Sequence, residues 1–240
     1  MKINRNYIKG TLLVGLVCIL ASFSNFKNQD QIISSINVQF EQGDNLFMSY
    51  EMVNKLLIQN GTTVQNQAKS LIDLSKLEKQ VLSHPMVEDA TAFLTVDGHL
   101  KANVKQRTPI GRINSESGSY YLDRLGEIMP LSENYSARVP IITGVMSTEN
   151  LDDLYTLLMF IRADKFLEKQ IIGVRKEENG QYNLLTRMGN QEIELGKVEK
   201  LPLKFKNLKA FYNYIGADKT IENYNRINLK YNNQVVCTKK

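Results

Sequence analysis

The side chains that most often carry protein chemistry are scarce in this chain. Its 240 residues include two Cys and two His. Cys18 lies in the most apolar run and Cys237 lies three residues from the end, so the sequence predicts no disulfide framework. His84 and His99 are too few for a His-rich zinc site, and each is interpreted as structural, at a helix end and at a strand start. We therefore expect no metal or thiol chemistry and no cofactor.

Two acidic pairs are the remaining candidates for catalysis. Asp152-Asp153 lies at a predicted helix start, where acids complement the helix dipole. Glu177-Glu178 precedes a predicted turn, and we expect it to be solvated. The sequence has no motif for a Ser, Cys or Thr nucleophile and no phosphate-binding glycine loop. A hydrolase acting on cell-wall material is therefore disfavoured, and the prediction is that the protein is not an enzyme.

Composition and charge narrow the class of protein further. A hydrophobic fraction of 42% excludes wholesale disorder, and the length allows one large or two small folded units. The net charge is +5, but three cations and no acid lie in residues 1–26, which leaves a nearly neutral remainder. A nucleic-acid partner is therefore not predicted. Residues 197–240 hold ten Lys or Arg and three acids, and this is either a solvated surface or a docking site for an acidic partner.

The N-terminus has the pattern of a membrane anchor. Residues 10–26 carry no charge and would span about 26 Å as a helix, and flanking residues with a snorkelling Lys9 extend this toward the ~30 Å hydrocarbon core. The cations before this run predict that residues 1–9 are cytoplasmic and that the rest lies outside the cytoplasm. The alternative is a cleaved secretory signal with Ser22-Phe23-Ser24 as its cleavage site. In both interpretations the residues after this segment are exported from the cytoplasm.

Hydrophobic periodicity predicts a first unit between residues 35 and 110. Its elements follow the order strand, helix, helix, strand, strand, at Ser35–Phe40, after Ser49, after Asp73, at Val87–Val96 and at His99–Gln106. Pro85 ends the second helix, Asp97-Gly98 forms a hairpin turn, and Thr62 to Ser70 is predicted to be a loop. A three-stranded sheet covered on one face by two helices is the expected fold.

The remaining residues predict a mixed β domain with two helices, so that the fold class is α+β. The predicted elements are a strand at Ile110–Asn114, a hairpin turning on Asp123 to Gly126, a strand at Val139–Gly144, a helix capped by Ser147 or Thr148, a meander at Ile171–Lys176, Tyr182–Arg187 and Gln191–Leu195, a helix at Val198–Tyr214, and strands at Arg226–Tyr231 and Gln234–Thr238.

Short motifs in a characteristic order give the chain a family resemblance. They are Val38-Gln39-Phe40, His84 to Ala90, Val104 to Pro109, Tyr121-Leu122-Asp123 with Gly126, Val139 to Gly144, and Arg226 to Tyr231. On these residues the chain resembles the FtsQ/DivIB bacterial cell-division proteins, most closely those of Bacteroidota-type bacteria. Asn228 and Lys230 stand where the family commonly has Asp and Arg.

The resemblance implies a domain organisation. It consists of a cytoplasmic tail at 1–9, a single transmembrane helix at 10–26, a POTRA domain (β-α-α-β-β) at 35–108, and an FtsQ-type β domain at 109–240. The protein would lie in the cell (inner) membrane, with its C-terminal domains periplasmic, and would be enriched at the division septum.

The resemblance also implies a function as a scaffold of the divisome. The β domain would bind FtsB and FtsL by strand addition at its C-terminal edge, and the complex would then control septal peptidoglycan synthesis by FtsW and FtsI, which are indirect partners. The implied partner-binding residues are Lys230, Tyr231, Asn233, Gln234, Val235, Val236, Cys237, Thr238 and Lys239. Tyr231 is the expected anchor side chain, and whether Val235 and Val236 instead pack the sheet stays open.

A second function remains possible on the sequence alone. The chain could be an exported POTRA-containing factor for assembly or anchoring of envelope proteins. Retention of the N-terminal helix in membranes favours the division scaffold, whereas removal of residues 1–24 from the mature protein favours the alternative.

Overall fold

The structure is a computed structural model that describes residues 5–29, 31–41, 47–59, 61–115, 118–144, 151–218, 221–232 and 234–240. The chain divides into two compact units, Met1–Gln106 and Arg107–Lys240. The predicted domain ranges 35–108 and 109–240 stay predictions.

Unit one begins with helix α1, Arg5–Gln29. Over the part of the chain that the structure describes, no helix is both long and apolar enough to cross a membrane. The transmembrane helix predicted at residues 10–26 is therefore not confirmed.

The remainder of unit one is a small sheet with helices. Its elements are β1 Ser35–Phe40, α2 Tyr50–Leu56, β2 Ile58–Gln59, β3 Thr62–Thr63, a 3-10 helix Lys69–Leu71, α3 Leu74–Leu82, β4 Val87–Leu94 and β5 His99–Gln106. The main sheet has the order β1-β5-β4, with β1 parallel and β4 antiparallel to β5. The predicted order of strands and helices is confirmed. The predicted loop from Thr62 to Ser70 is wrong in part, because β3 pairs with β2 and the 3-10 helix follows.

The two short helices of this unit, α2 and α3, each begin with a side-chain cap, as predicted. The Ser49 hydroxyl accepts from the Met52 N–H at 3.2 Å, and the Asp73 carboxylate accepts from the Lys76 N–H at 3.0 Å. Each cap satisfies a backbone donor that has no partner within the helix, which contributes about 1 kcal/mol. Buried residues of these helices, Val53, Leu77 and Val81, pack into the core of the unit.

Unit two is built on a nine-stranded mixed sheet with three α-helices. Its elements are β6 Pro109–Ser115, β7 Gly118–Asp123, β8 Ile128–Met129, β9 Ile141–Gly144, α4 Asp152–Ala163, α5 Lys165–Gln170, β10 Ile171–Lys176, β11 Tyr182–Thr186, β12 Glu192–Gly196, α6 Leu201–Asp218, a 3-10 helix Ile221–Asn223, β13 Tyr224–Asn228 and β14 Val236–Lys239. The strand order is β14-β13-β12-β11-β10-β9-β6-β7-β8.

The prediction of two helices in this unit is wrong, because α5 is a third. Asp164 ends α4 and caps α5 by accepting from the Phe166 and Leu167 N–H groups. Six residues are too few for a clear helical stripe, so periodicity did not reveal α5. The caps predicted at Ser147 and Thr148 lie outside the described residues, and α4 follows Leu151 without a side-chain cap.

The core of unit two lies between the sheet and its helices. Buried strand residues Ile113, Val174, Leu184, Ile193 and Ile227 belong to one apolar cluster with Leu157, Leu158, Phe205 and Leu208 of α4 and α6. Each such side chain stabilises the fold by about 1.5–3 kcal/mol. At Gly111 the packing is very close, since an added Cβ would lie 2.6 Å from Ile142 Cδ1 and 2.8 Å from Leu158 Cδ1.

Candidate partner-binding edge

The last strand of the chain lies at one edge of the large sheet. β14 pairs antiparallel with β13, in a register that sets Ile227 opposite Cys237 and Asn228 opposite Val236. Among the described strands, β14 has a neighbour on this side only. The backbone on the other side can therefore accept an added strand.

The strand beneath this edge is itself firmly placed. β13 runs parallel to β12, with Glu192 opposite Arg226 and Glu194 opposite Asn228. The end of the chain is also fixed, because the Lys240 N–H donates to Asn223 O at 2.9 Å. A partner strand would thus meet a preformed template, which lowers the entropy cost of pairing.

The two faces of β14 differ in exposure. Val235, just before the strand, and Cys237 pack against the core cluster, whereas Val236 is 42% exposed. Burial raises the pKa of the Cys237 thiol, so this side chain stays neutral at neutral pH. The interpretation that the valines pack the sheet therefore applies to Val235, and Val236 is available for contact.

An ionic cluster lies beside the edge, centred on Glu194. Its carboxylate is 3.1 Å from Lys230 Nζ and 3.5 Å from Arg226 Nη1, and it accepts from Asn228 Nδ2 at 2.8 Å. One anion thus faces two cations, which leaves the cluster with a net positive charge.

The turn between the last two strands is tied to its own residues and to α6. Asn228 Oδ1 accepts from the Lys230 N–H at 2.9 Å, and Asn232 receives Lys200 Nζ at 3.2 Å and Asn207 Nδ2 at 3.4 Å. Tyr231 projects from this turn and is 53% exposed.

Several cations at the C-terminal end already have partners. Lys204 is buried and its Nζ donates to the backbone oxygens of Leu195 and Lys197, both at 2.8 Å, while burial lowers its pKa. Lys209 forms an ion pair with Asp164. Part of the positive charge counted in residues 197–240 is thus buried or paired within the unit. Lys239 and Lys240 are exposed at the edge.

The structure gathers most of the predicted partner-binding residues along one edge. Val236 to Lys239 form β14, Gln234 and Val235 directly precede it, and Lys230 and Tyr231 lie in the preceding turn, whereas Asn233 lies outside the described residues. Their role in binding stays a prediction. Glu194 and Arg226 were not predicted, because only the pairing of β12 with β13 brings them to this edge.

The candidates for catalysis lie elsewhere and have structural partners. His84 Nδ1 accepts from the Met86 N–H at 3.3 Å, and burial lowers its pKa. His99 Nδ1 lies 2.8 Å from Ser35 Oγ. The expectation that the Glu177-Glu178 pair is solvated agrees with the structure, since the Glu177 side chain is 39% exposed and Glu178 is exposed, although Glu177 also forms an ion pair with Arg175 at 2.8 Å. Within the described residues no group of three or more His, Cys, Asp or Glu could hold a metal ion.

Fold and edge together define a class of protein: a two-unit α+β protein whose larger sheet ends, among the described strands, in the C-terminal strand β14. Two family models match the chain, a POTRA-like domain at residues 31–105 and "FtsQ/DivIB, C-terminal related" at residues 108–238. The second match covers more than half of the chain, which therefore belongs to the FtsQ/DivIB, C-terminal related, family. This confirms the family predicted from the sequence.

A curated relative agrees with this assignment. The chain is 26% identical over 177 residues to the cell division protein FtsQ of Salinibacter ruber (strain DSM 13855 / M31). The alignment covers 65% of this chain and 66% of that protein, just under two thirds of its length.

Proposed function

We propose that this protein is a bitopic scaffold of the bacterial divisome that binds FtsB and FtsL through the outer side of β14. The observation that carries the proposal is the position of β14 at the sheet edge, with one described neighbour. Through these partners the protein acts on FtsW and FtsI and so on septal peptidoglycan synthesis.

Strand addition supplies the affinity in this proposal, and side chains supply the specificity. Main-chain hydrogen bonds to β14 are independent of sequence, so selectivity requires contacts from exposed side chains. Val236 on the strand and Tyr231 in the turn are the two exposed apolar side chains placed to make them. A buried aromatic anchor is a common source of binding energy at interfaces.

Charge complementarity favours an acidic partner segment. The cluster around Glu194 carries two cations, and Lys239 and Lys240 lie exposed at the end of the chain. Charges at an interface rim mainly increase the association rate and discourage other partners. Lysines at an edge strand also oppose indiscriminate pairing between copies.

The proposal includes an anchor at residues 10–26, with residues 1–9 cytoplasmic and the domains at 35–108 and 109–240 periplasmic. Support comes from the uncharged run within α1, whose apolar side chains are exposed around the helix, including Leu12, Val14 and Leu16. A helix that is apolar all round requires a covering environment, and a bilayer provides one. Alkali-resistant retention of the full chain in membranes tests the anchor, and a mature protein lacking residues 1–24 would favour an envelope-assembly factor.

We propose a structural and not a catalytic role. The acids considered for catalysis are engaged otherwise: Glu177 pairs with Arg175, and Asp152 and Asp153 lie in the first turn of α4. Hydrolysis of peptidoglycan by the purified chain, abolished by an Asp or Glu substitution, would contradict this.

The substitution Val236→Pro tests the edge. Proline cannot donate a backbone hydrogen bond and disfavours a paired strand, so we expect binding of purified FtsB to fall by at least about tenfold. The matched control is Ile128→Pro, which places proline at an exposed residue of β8 on the opposite edge of the same sheet. Circular dichroism establishes that both variants fold, and unchanged FtsB binding by folded Val236→Pro would reject the edge model.

The double substitution of Lys239 and Lys240 by Glu tests the charge argument. Association with FtsB is expected to slow at low salt, with a smaller effect at high salt, because exposed charges are screened. Stopped-flow measurements at two salt concentrations give the rates. Equal slowing at both concentrations would show that the lysines act through something other than long-range attraction.

A further inference from the structure

One end of the sheet in unit one carries three strongly exposed aliphatic side chains. Ile32, Leu71 and Val96 are 57%, 65% and 81% exposed. Ile32 forms a bridge with Ala68, Leu71 ends the 3-10 helix that follows, and Val96 lies in the turn between β4 and β5. We name these three residues the apolar tip.

Lys69 joins the three segments into one surface. Its N–H donates to Gln31 O at 3.0 Å, and its Nζ donates to Gln31 Oε1 at 2.8 Å and to Val96 O at 3.0 Å. The Ser34 N–H also donates to Gly98 O at 2.8 Å, which ties the β4–β5 turn to the segment entering β1. The apolar tip is therefore held by hydrogen bonds and is not a loose loop end.

The apolar tip follows the proposed membrane anchor closely, since Ile32 is six residues after the last anchor residue, and the first three of these belong to α1. α1 ends at Gln29, and Ile32 is three residues further along, a distance of at most about 10 Å in an extended chain. The headgroup layer of one leaflet is about 5–8 Å thick. We propose that the apolar tip inserts into the headgroup layer of the same bilayer. This proposal rests on the proposed anchor.

The charges beside the apolar tip indicate the lipid chemistry. Of the charged side chains that the structure describes there, one cation, Lys69, and one exposed anion, Asp97, lie next to it, and in the sequence Lys27 and Asp30 before Ile32 add one charge of each sign, so these charges cancel. Recognition of anionic lipid requires a cluster of cations at the surface. The fitting surface is therefore that of zwitterionic lipid, and insertion is driven by burial of aliphatic side chains.

Attachment through α1 makes this small contact sufficient. Three aliphatic side chains alone give only weak membrane affinity. Since the anchor already holds unit one at the bilayer, insertion is intramolecular and takes place at a high effective concentration. Its consequence is a restricted orientation of unit one relative to the membrane.

The absence of tryptophan from the chain allows a direct test. Val96→Trp adds a single tryptophan at the apolar tip of the full chain, reconstituted in phosphatidylcholine vesicles with or without brominated acyl chains. The matched control is Leu82→Trp, since Leu82 is also exposed, at 40%, and lies next to the opposite end of β4. Vesicle flotation of each variant reports the anchor separately.

We expect brominated lipid to quench the tryptophan at position 96 and to leave the one at position 82 bright, without dependence on added phosphatidylglycerol. Flotation with no quenching at position 96 would overturn the apolar-tip proposal and leave the anchor standing. Loss of flotation would overturn the anchor and this proposal with it. A blue-shifted but unquenched signal would indicate burial against protein, and quenching only with anionic lipid would refute the zwitterionic surface.

Discussion

The buried carboxylate of Asp123 gives a sharp prediction about the fold of unit two. It is fully buried, and Oδ2 accepts from Arg107 Nη1 at 2.8 Å. Oδ1 accepts from the N–H groups of Leu125 and Glu127 at 2.9 and 2.8 Å. This one side chain therefore fixes the β7–β8 turn and the first residue of the unit.

The magnitude follows from these contacts. Asp123→Ala removes a charge-assisted hydrogen bond, worth about 1.5–3 kcal/mol, and two bonds to turn amides that water can reach in part. It also leaves the partly buried Arg107 without this carboxylate, and removing one partner of a buried pair typically costs about 3–5 kcal/mol. We expect the free energy of unfolding to fall by about 3–5 kcal/mol in total, since these terms overlap.

Guanidinium unfolding of the full chain in detergent, followed by circular dichroism, measures the loss. Asp97→Ala is the matched control, because Asp97 lies in the other predicted hairpin turn and is exposed, so its substitution should cost less than about 0.5 kcal/mol. A double-mutant cycle of Arg107→Ala with Asp123→Ala isolates the ion pair. An Asp123→Ala chain within about 1 kcal/mol of the native one would refute the reasoning.

Two further predictions concern a cap and a tight backbone approach. The hydrogen bond from Lys209, with the backbone bonds of its cap, holds the pKa of Asp164 below its usual value. The carboxylate therefore stabilises the fold above its usual pKa and loses this effect as the pH falls through the lowered one. Asp164→Asn, which keeps a capping oxygen, should cost less than about 1 kcal/mol at neutral pH and nothing in acid, as measured by unfolding at both pH values. Gly144 has φ of +100°, and an added Cβ would lie 2.0 Å from Lys176 O, so Gly144→Ala should cost more than about 2 kcal/mol by thermal or chemical unfolding. Gly180→Ala, with φ of +76° but no atom within 4 Å of the added Cβ, should cost only about 1 kcal/mol, and equal costs would contradict the steric argument.

Local interactions explain why much of unit one was predictable. Ser49 and Asp73 cap helices through backbone groups three residues away, and Asp97-Gly98 forms its turn within four residues. Such signals involve only neighbours in the chain, so they are legible in the sequence. The family motifs are legible for the same reason.

The composition of the candidate edge is a different case. The sequence indicated a final strand. Whether that strand lies at the edge of the sheet depends on which strands pair with β13, and one of these, β12, is separated from β13 in the chain by the whole of α6. That parallel pairing brings Glu194 beside Arg226 and Lys230, residues more than 30 positions away. Neither residue type nor spacing records such a contact.

The sequence by itself thus determined the order of the main elements of unit one, the caps at Ser49 and Asp73, the turn at Asp97-Gly98 and the family of the protein, because these depend on neighbouring residues and on motif order. The tertiary structure decided which strand lies at the edge, which valine faces outward, and which cations are already paired. These properties arise from burial of one sheet face under α4 and α6 and from long-range strand pairing, which the whole chain settles together.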